Sequence, residues 1–298
     1  MKRFTIPSPI ARRDRVVTTF LMAAASVLLL AGSAARAVEV TGNTFNTTAP
    51  TSADIPNWNT GWGNSTVNGW DYVGQVNGSS GIYLGNGWAM TVGHVGNGSL
   101  TLGKTTYPLA QGSLHVFANP DGSSIDLCLF KLTVSPNLPA LNIAPADPTA
   151  FAQNQTGDSV AMIGYGGGKG ETWGFNAVTE VNTMQQVSFY NTNDFETDLG
   201  PVTGTSSTTN EDYLVSGDSG GGDFIFNPAT QTWMLAGLNE AIDDKNNSYL
   251  VQLDTYVPQI DAITGLTSAP EPSPAGLLGF GLLLWLWMFR GRVSGRVV

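Results

Sequence analysis

From Trp70 to about Leu253 the chain alternates short apolar runs with clusters of glycine, asparagine, aspartate and proline. Runs this short suit strands, whose side chains point alternately to two faces, better than helices. The pattern predicts strands over 71–76, 81–84, 89–92, 113–117, 127–132, 159–163 and 186–190, with later ones over 223–226, 233–238 and 249–253. The pairs Asn77-Gly78, Asn86-Gly87, Asn97-Gly98 and Asp121-Gly122, and the run Gly166-Gly167-Gly168, are turn signals, because these residues tolerate the positive φ of tight hairpins. No helical period of useful length interrupts the series before the end, so the expected class is all-β, a barrel or a sandwich. Residues 38–69, rich in Thr, Asn, Ser and Gly and carrying Trp58 and Trp62, read as an extended arm on a core or as a loosely ordered lead-in.

Both ends carry a different pattern. Met1 to Ala37 opens with Lys2, Arg3, Arg12, Arg13 and Arg15, continues through an apolar run from Val16 to Ala31, and closes on Ala35-Arg36-Ala37. A basic opening, a short apolar stretch and an A-x-A site form a secretory leader, which places the mature start near Val38. At the other end Ala269-Pro270-Glu271-Pro272-Ser273-Pro274 precedes an apolar run from Ala275 to Phe289 and then Arg290, Arg292 and Arg296. That order resembles the PEP-CTERM sorting signal of Gram-negative bacteria. The resemblance implies a transmembrane helix as a transient inner-membrane anchor, an exosortase-type processing enzyme as partner, and delivery to the cell surface or extracellular matrix. The chain then divides into a leader (1–37), an extension (38–69), a β-patterned domain (70–265) and a sorting segment (266–298).

Charge changes once those ends are set aside. The whole chain carries a formal charge of −10, but between Val38 and Ala269 only four lysines face 21 acids, a net charge of −17. Such a surface repels phosphate backbones, so nucleic acid is not an expected partner. Cys128 is the only cysteine, which rules out an intramolecular disulfide and leaves burial to hold the exported domain together. No His, Cys or Asp pairs stand at metal-ligand spacing and no cofactor is expected, with calcium left open at an acidic loop such as Asp243-Asp244.

The candidate chemistry centres on Gly217-Asp218-Ser219-Gly220-Gly221. Glycines around a serine allow a tight turn that exposes the hydroxyl and leaves backbone N–H groups free to face a developing anion. A serine nucleophile needs a base, and the chain has two histidines. His94 ends the apolar run 88–95, whereas His115 sits mid-strand and reads as a half-exposed strand residue. Asp126 lies in the apolar run 125–132, where an acid needs a partner such as a histidine N–H.

Together these segments resemble the active-site motifs of the chymotrypsin/trypsin-like serine proteases, in the family order His, Asp, Ser. Thr91 to Val95 resembles the Thr-Ala-Ala-His segment, and Gly217 to Gly221 matches the Gly-Asp-Ser-Gly-Gly loop. Met162 to Gly166 resembles the strand that opens the second barrel, and Tyr249 to Ile263 the last strand running into a helix. The resemblance implies two packed antiparallel β-barrels with a short C-terminal helix, His94 and Asp126 in the first and Ser219 in the second. It implies a serine endopeptidase acting on a protein or peptide substrate, with catalytic His94, Asp126 and Ser219 and an oxyanion hole at Gly217 and Ser219. The specificity pocket falls on Tyr213, Glu240, Ala241 and Ile242, with Glu211 and Asp212 adjacent to its floor. The chain departs from the family in two places. No Arg-Ile-Val-Gly-Gly-like activation site precedes Val73-Gly74 to release an amine for Asp218, and no carboxylate stands at Tyr213. An inactive protease fold serving as a matrix component is the alternative reading.

Overall fold

The computed structural model describes residues 38–40, 44–151, 159–198 and 212–266. The leader, the sorting segment and Glu211 lie outside them. Among the described residues no helix is long and apolar enough to cross a membrane.

The chain enters through β1 (Glu39–Val40) and a long arm, then a single helical turn, α1 (Gly69–Tyr72). The first group of strands follows: β2 (Val73–Val76), β3 (Ser79–Gly85), β4 (Trp88–Thr91), β5 (Leu100–Leu102), β6 (Thr105–Tyr107), β7 (His115–Ala118) and β8 (Ser124–Lys131). The second comprises β9 (Ser159–Gly164), β10 (Thr172–Val187), β11 (Tyr190–Thr197), β12 (Asp212–Tyr213), β13 (Gly222–Asn227), β14 (Thr232–Ile242) and β15 (Ser248–Gln252), closing on α2 (Val257–Thr264).

The first group forms one antiparallel sheet in the order β6-β5-β2-β3-β4-β8-β7. Its edges are drawn together where the chain beyond β6 meets the end of β8. There the Ala110 N–H donates to the Lys131 carbonyl and the Thr133 N–H to the Pro108 carbonyl, both at 2.8 Å. Six strands thus ring a core, with β7 outside. In the second group β10-β11-β15-β14-β13-β9 close into a complete six-stranded barrel. The two-barrel, mostly β expectation holds, and the last strand does lead into a short helix.

Local chemistry sets the hairpins. Asn77 and Gly78 (φ 51° and 86°) join β2 to β3, and Asn86 and Gly87 (φ 51° and 80°) join β3 to β4. Two successive positive φ values match the twist of the flanking strands, as the sequence predicts. One predicted strand is wrong. Residues 186–190 are the end of β10, a two-residue turn at Ser188-Phe189 and the first residue of β11, with Ser188 at φ 58°. Val187-Ser188-Phe189 alternates apolar and polar across the tip with no glycine, proline or asparagine in the turn, so the pattern gave no sign of the reversal. Asp71, expected to open a strand, instead caps α1: it accepts from the Asn68 N–H at 2.8 Å, while Asn68 Oδ1 accepts from the Trp70 N–H at 3.0 Å.

The 38–69 segment is an arm on the second barrel. β1 pairs with β12, Glu39 opposite Tyr213 and Val40 opposite Asp212. Farther along, Trp62 stacks on Trp233 with ring centres 5.5 Å apart, and Trp58 meets Trp233 edge-on at 4.9 Å. Trp58 is fully buried and Trp62 nearly so, which makes the arm part of the core. Cys128 is buried in β8, and that burial pushes its thiol up to about 12, as expected of a small apolar residue.

Candidate active site

His94 leaves the end of β4 and Asp126 lies in β8, the next strand of the sheet, with Thr91 opposite Cys128. That register brings the two side chains together. His94 Nδ1 is 2.6 Å from Asp126 Oδ2, and the His94 backbone N–H donates to Asp126 Oδ1 at 2.7 Å. Both carboxylate oxygens are therefore committed to one residue. Asp126 is fully buried, while the His94 side chain is 33% exposed. A buried acid holding one ring nitrogen fixes the tautomer and leaves Nε2 facing outward as a base.

Gly93 explains the close fit. A Cβ there would lie 3.0 Å from Asp126 Oδ1 and 3.1 Å from the ring of Tyr190, which stands over the loop from the start of β11. Sequence reasoning missed Tyr190, because the strand assigned to 186–190 concealed the hairpin that delivers it. His115, by contrast, sits on the outer strand β7 with its ring 5.6 Å from that of Trp88, apart from this cluster.

Ser219 comes from the loop before β13. Gly217 (φ 100°) and Gly220 (φ 86°) turn the chain through conformations that favour glycine. Ser80 of β3 ties this loop to the first barrel: its N–H donates to the Ser219 carbonyl at 3.0 Å and its hydroxyl to the Gly217 carbonyl at 3.2 Å. The Ser219 hydroxyl donates to the Glu240 carbonyl at 3.4 Å, a long bond that leaves it weakly held. Among the described residues no acceptor takes the N–H of Gly217 or Ser219. Two adjacent free donors beside a hydroxyl can stabilise an oxyanion.

Asp218, just before the serine, is fully buried and, among the described residues, its carboxylate is bonded only to backbone. It accepts from Gly166 at 2.9 Å, from Val215 at 2.9 Å, and from the N–H of Val38. Burial raises its pKa to about 7 against the pull of those three donors.

The residues expected to form the specificity pocket lie along β12 and β14. Tyr213 is half-buried in β12 beside Glu39, Ala241 is half-buried, and Ile242 is exposed. The Glu240 side chain is turned inward, 2% exposed, with Oε1 accepting from the Thr192 hydroxyl at 2.8 Å. Asp212 is buried. At the acidic turn Asp243 accepts from the N–H groups of Lys245 and Asn247, at 2.8 and 2.9 Å. Among the described residues no group of three His, Cys, Asp or Glu could hold a metal ion.

The chain is similar in fold to the Rv3671c protease of M. tuberculosis in its active form, with 19% identity, 65% of this chain and 76% of that one covered, and a TM-score of 0.44. It is also similar to the HtrA-type protease AlgW solved with a decapeptide (19% identity, 63% of this chain and 52% of that one, TM-score 0.44). The NS6 protease of murine norovirus 1 gives 15% identity over 69% of this chain and 93% of its own, with a TM-score of 0.42. No curated protein matches the chain in sequence. The family model described as Trypsin matches residues 60–261, a span that takes in both barrels and every residue of the cluster, and the chain belongs to the trypsin family.

Proposed function

We propose that the protein is an exported, surface-sorted serine endopeptidase. The observation that carries this reading is the buried Asp126 holding His94 by both its ring and its backbone, on the barrel opposite the Ser219 loop. Ser219 Oγ attacks the scissile carbonyl, His94 Nε2 takes its proton and returns it to the leaving amine, and Asp126 stabilises the imidazolium between those steps. The N–H groups of Gly217 and Ser219 hold the tetrahedral oxyanion. Losing one such donor typically costs about 2.7 to 4 kcal/mol. The Ser219 hydroxyl, held loosely on the Glu240 carbonyl in the free enzyme, turns to His94 Nε2 when substrate arrives.

Tyr213 floors the pocket, with Ala241, Ile242 and the backbone of Glu240 as its wall. A ring at the floor and no open carboxylate favour small or medium apolar side chains over Lys or Arg, whose charge would be buried unpaired. Leader removal after Ala37 turns the Val38 donor at Asp218 from an amide into an ammonium, which supplies the amine that the Val73-Gly74 region lacks. The C-terminal segment then delivers the domain to the cell surface through an exosortase-type enzyme.

A fluorophosphonate probe tests the chemistry. The mature protein takes the label and Ser219→Ala does not. Labelling that survives the substitution removes Ser219 as nucleophile, and a folded protein that neither labels nor clears casein is the inactive matrix component instead.

A further inference from the structure

The second barrel places two carboxyl groups behind the His94–Asp126 pair. Asp194 of β11 is fully buried and Glu240 of β14 is 2% exposed. Among the described residues neither oxygen of Asp194, nor Oε2 of Glu240, meets an N–H or O–H donor. The two carboxyls nevertheless lie within hydrogen-bonding reach of each other. Two carboxyl groups can bond only if one keeps its proton. Every titratable neighbour favours that state. Asp126 faces the pair from β8, Asp223 faces Asp194 from β13, and the Tyr256 phenol approaches both from the turn after β15. None of them is a cation. Burial pushes both carboxyls up and Asp126 adds to each; Asp194 raises Glu240 further, while the bond to Glu240 pulls Asp194 part of the way back.

Glu240 reaches the candidate triad by two routes. Its Oε1 takes the single hydroxyl proton of Thr192, so Thr192 Oγ1 can only accept from the Asp126 N–H, at 3.1 Å. Its own carbonyl takes the Ser219 hydroxyl. One residue of the second barrel is thus bonded to the serine directly and to the first barrel's aspartate through one hydroxyl.

We propose that Asp194 and Glu240 share one proton and act as positioning residues that hold Asp126 and Ser219, on opposite barrels, in register. The catalytic half of this inference rests on the triad reading above. With the proton in place Glu240 is tied to Asp194 and keeps its grip on Thr192. When the proton leaves at alkaline pH, two adjacent carboxylates repel, Glu240 shifts, and both routes slacken.

The test uses the mature protein with Glu240→Gln and Glu240→Leu. Glutamine keeps a donor for Asp194 and an acceptor for Thr192, whereas leucine keeps neither. Infrared spectra at neutral pH show the C=O stretch of a protonated carboxylic acid in the wild type, weaker by one group in Glu240→Gln. Asp223→Asn identifies the contribution of Asp223 to the same band. Superimposable wild-type and Glu240→Gln spectra overturn the shared proton. The fluorophosphonate rate of Glu240→Gln falls about threefold and loses its alkaline decline, while that of Glu240→Leu falls about thirtyfold, or about 2 kcal/mol. Equal rates in the two variants overturn the positioning role. The low-field proton resonance of His94 Nδ1, sharp in the wild type and Glu240→Gln and broadened in Glu240→Leu, reads the same alignment without turnover. If the wild type takes no label, the endopeptidase reading fails while the infrared and resonance results still decide this one.

Discussion

Gly220 carries a double demand. Its φ of 86° is costly for any side chain, and a Cβ would press on the Thr91 hydroxyl and the Ser80 carbonyl of the first barrel. Gly220→Ala is expected to lose about 2 kcal/mol or more of stability and to slow probe labelling of Ser219, although the residue touches no substrate. An unchanged thermal midpoint would contradict this account. The pairing of His94 with Asp126 was legible in the sequence because its chemistry restricts the choice of residue, and two histidines leave a short search. Ser80, Thr192 and Tyr190 were not, and Glu240 entered only as a pocket residue, without its bonds to Thr192 and Ser219. Each is an ordinary residue type whose role comes from contacts between distant stretches of the chain, as with Asp126 and Thr192, 66 positions apart.

At the scale of elements, turn chemistry located the hairpins of the first barrel, since Asn-Gly pairs record a backbone demand locally. The β10–β11 hairpin escaped because its turn, Ser188-Phe189, carries no such signal and alternation continues across Val187-Ser188-Phe189. The arm was undecided for a different reason. Its tryptophans are held by Trp233 and Phe224, and contacts of that range leave no period in the segment itself. Strand β1 carries the next prediction, because it brings Val38 to Asp218. A variant with Ala35→Leu and Ala37→Leu keeps its leader, so the amide cannot become an ammonium. It is expected to label at least about tenfold more slowly than the processed protein, a difference of about 1.4 kcal/mol. Equal rates in the two forms would remove Val38 from the activation of this loop.

The molecule as a whole concentrates acids in its interior. Asp194, Asp218, Asp223 and Glu240 are all buried in the second barrel, and burial raises every one of them. Glu171 joins them, raised to about 9 by burial. In the folded chain these groups hold protons that the unfolded chain releases near the ordinary carboxyl values of 3.8 and 4.5. Above those values the folded state binds more protons, so stability falls as pH rises. The loss runs through about 7 for Asp218 and about 9 for Glu171, at up to about 1.4 kcal/mol per group for each pH unit. An ammonium at Val38 reduces the share of Asp218. Thermal midpoints are expected to be highest near pH 5 and to decline towards pH 9. A midpoint that climbs from pH 5 to 8 would mean that these acids are ionised in the fold.

The buried thiol of Cys128 lies two positions beyond Asp126 on the same strand, with its Sγ 3.9 Å from the Val92 carbonyl. No other residue of the chain offers a thiol reagent a target. Modification of the native protein must therefore wait for β8 to part from β4, the same event that separates Asp126 from His94. The molecule carries its own clock for the opening of the strand that bears Asp126. Alkylation of Cys128 is expected to keep pace with amide exchange along β8, and a fast, folding-independent reaction would show that this strand is not sealed.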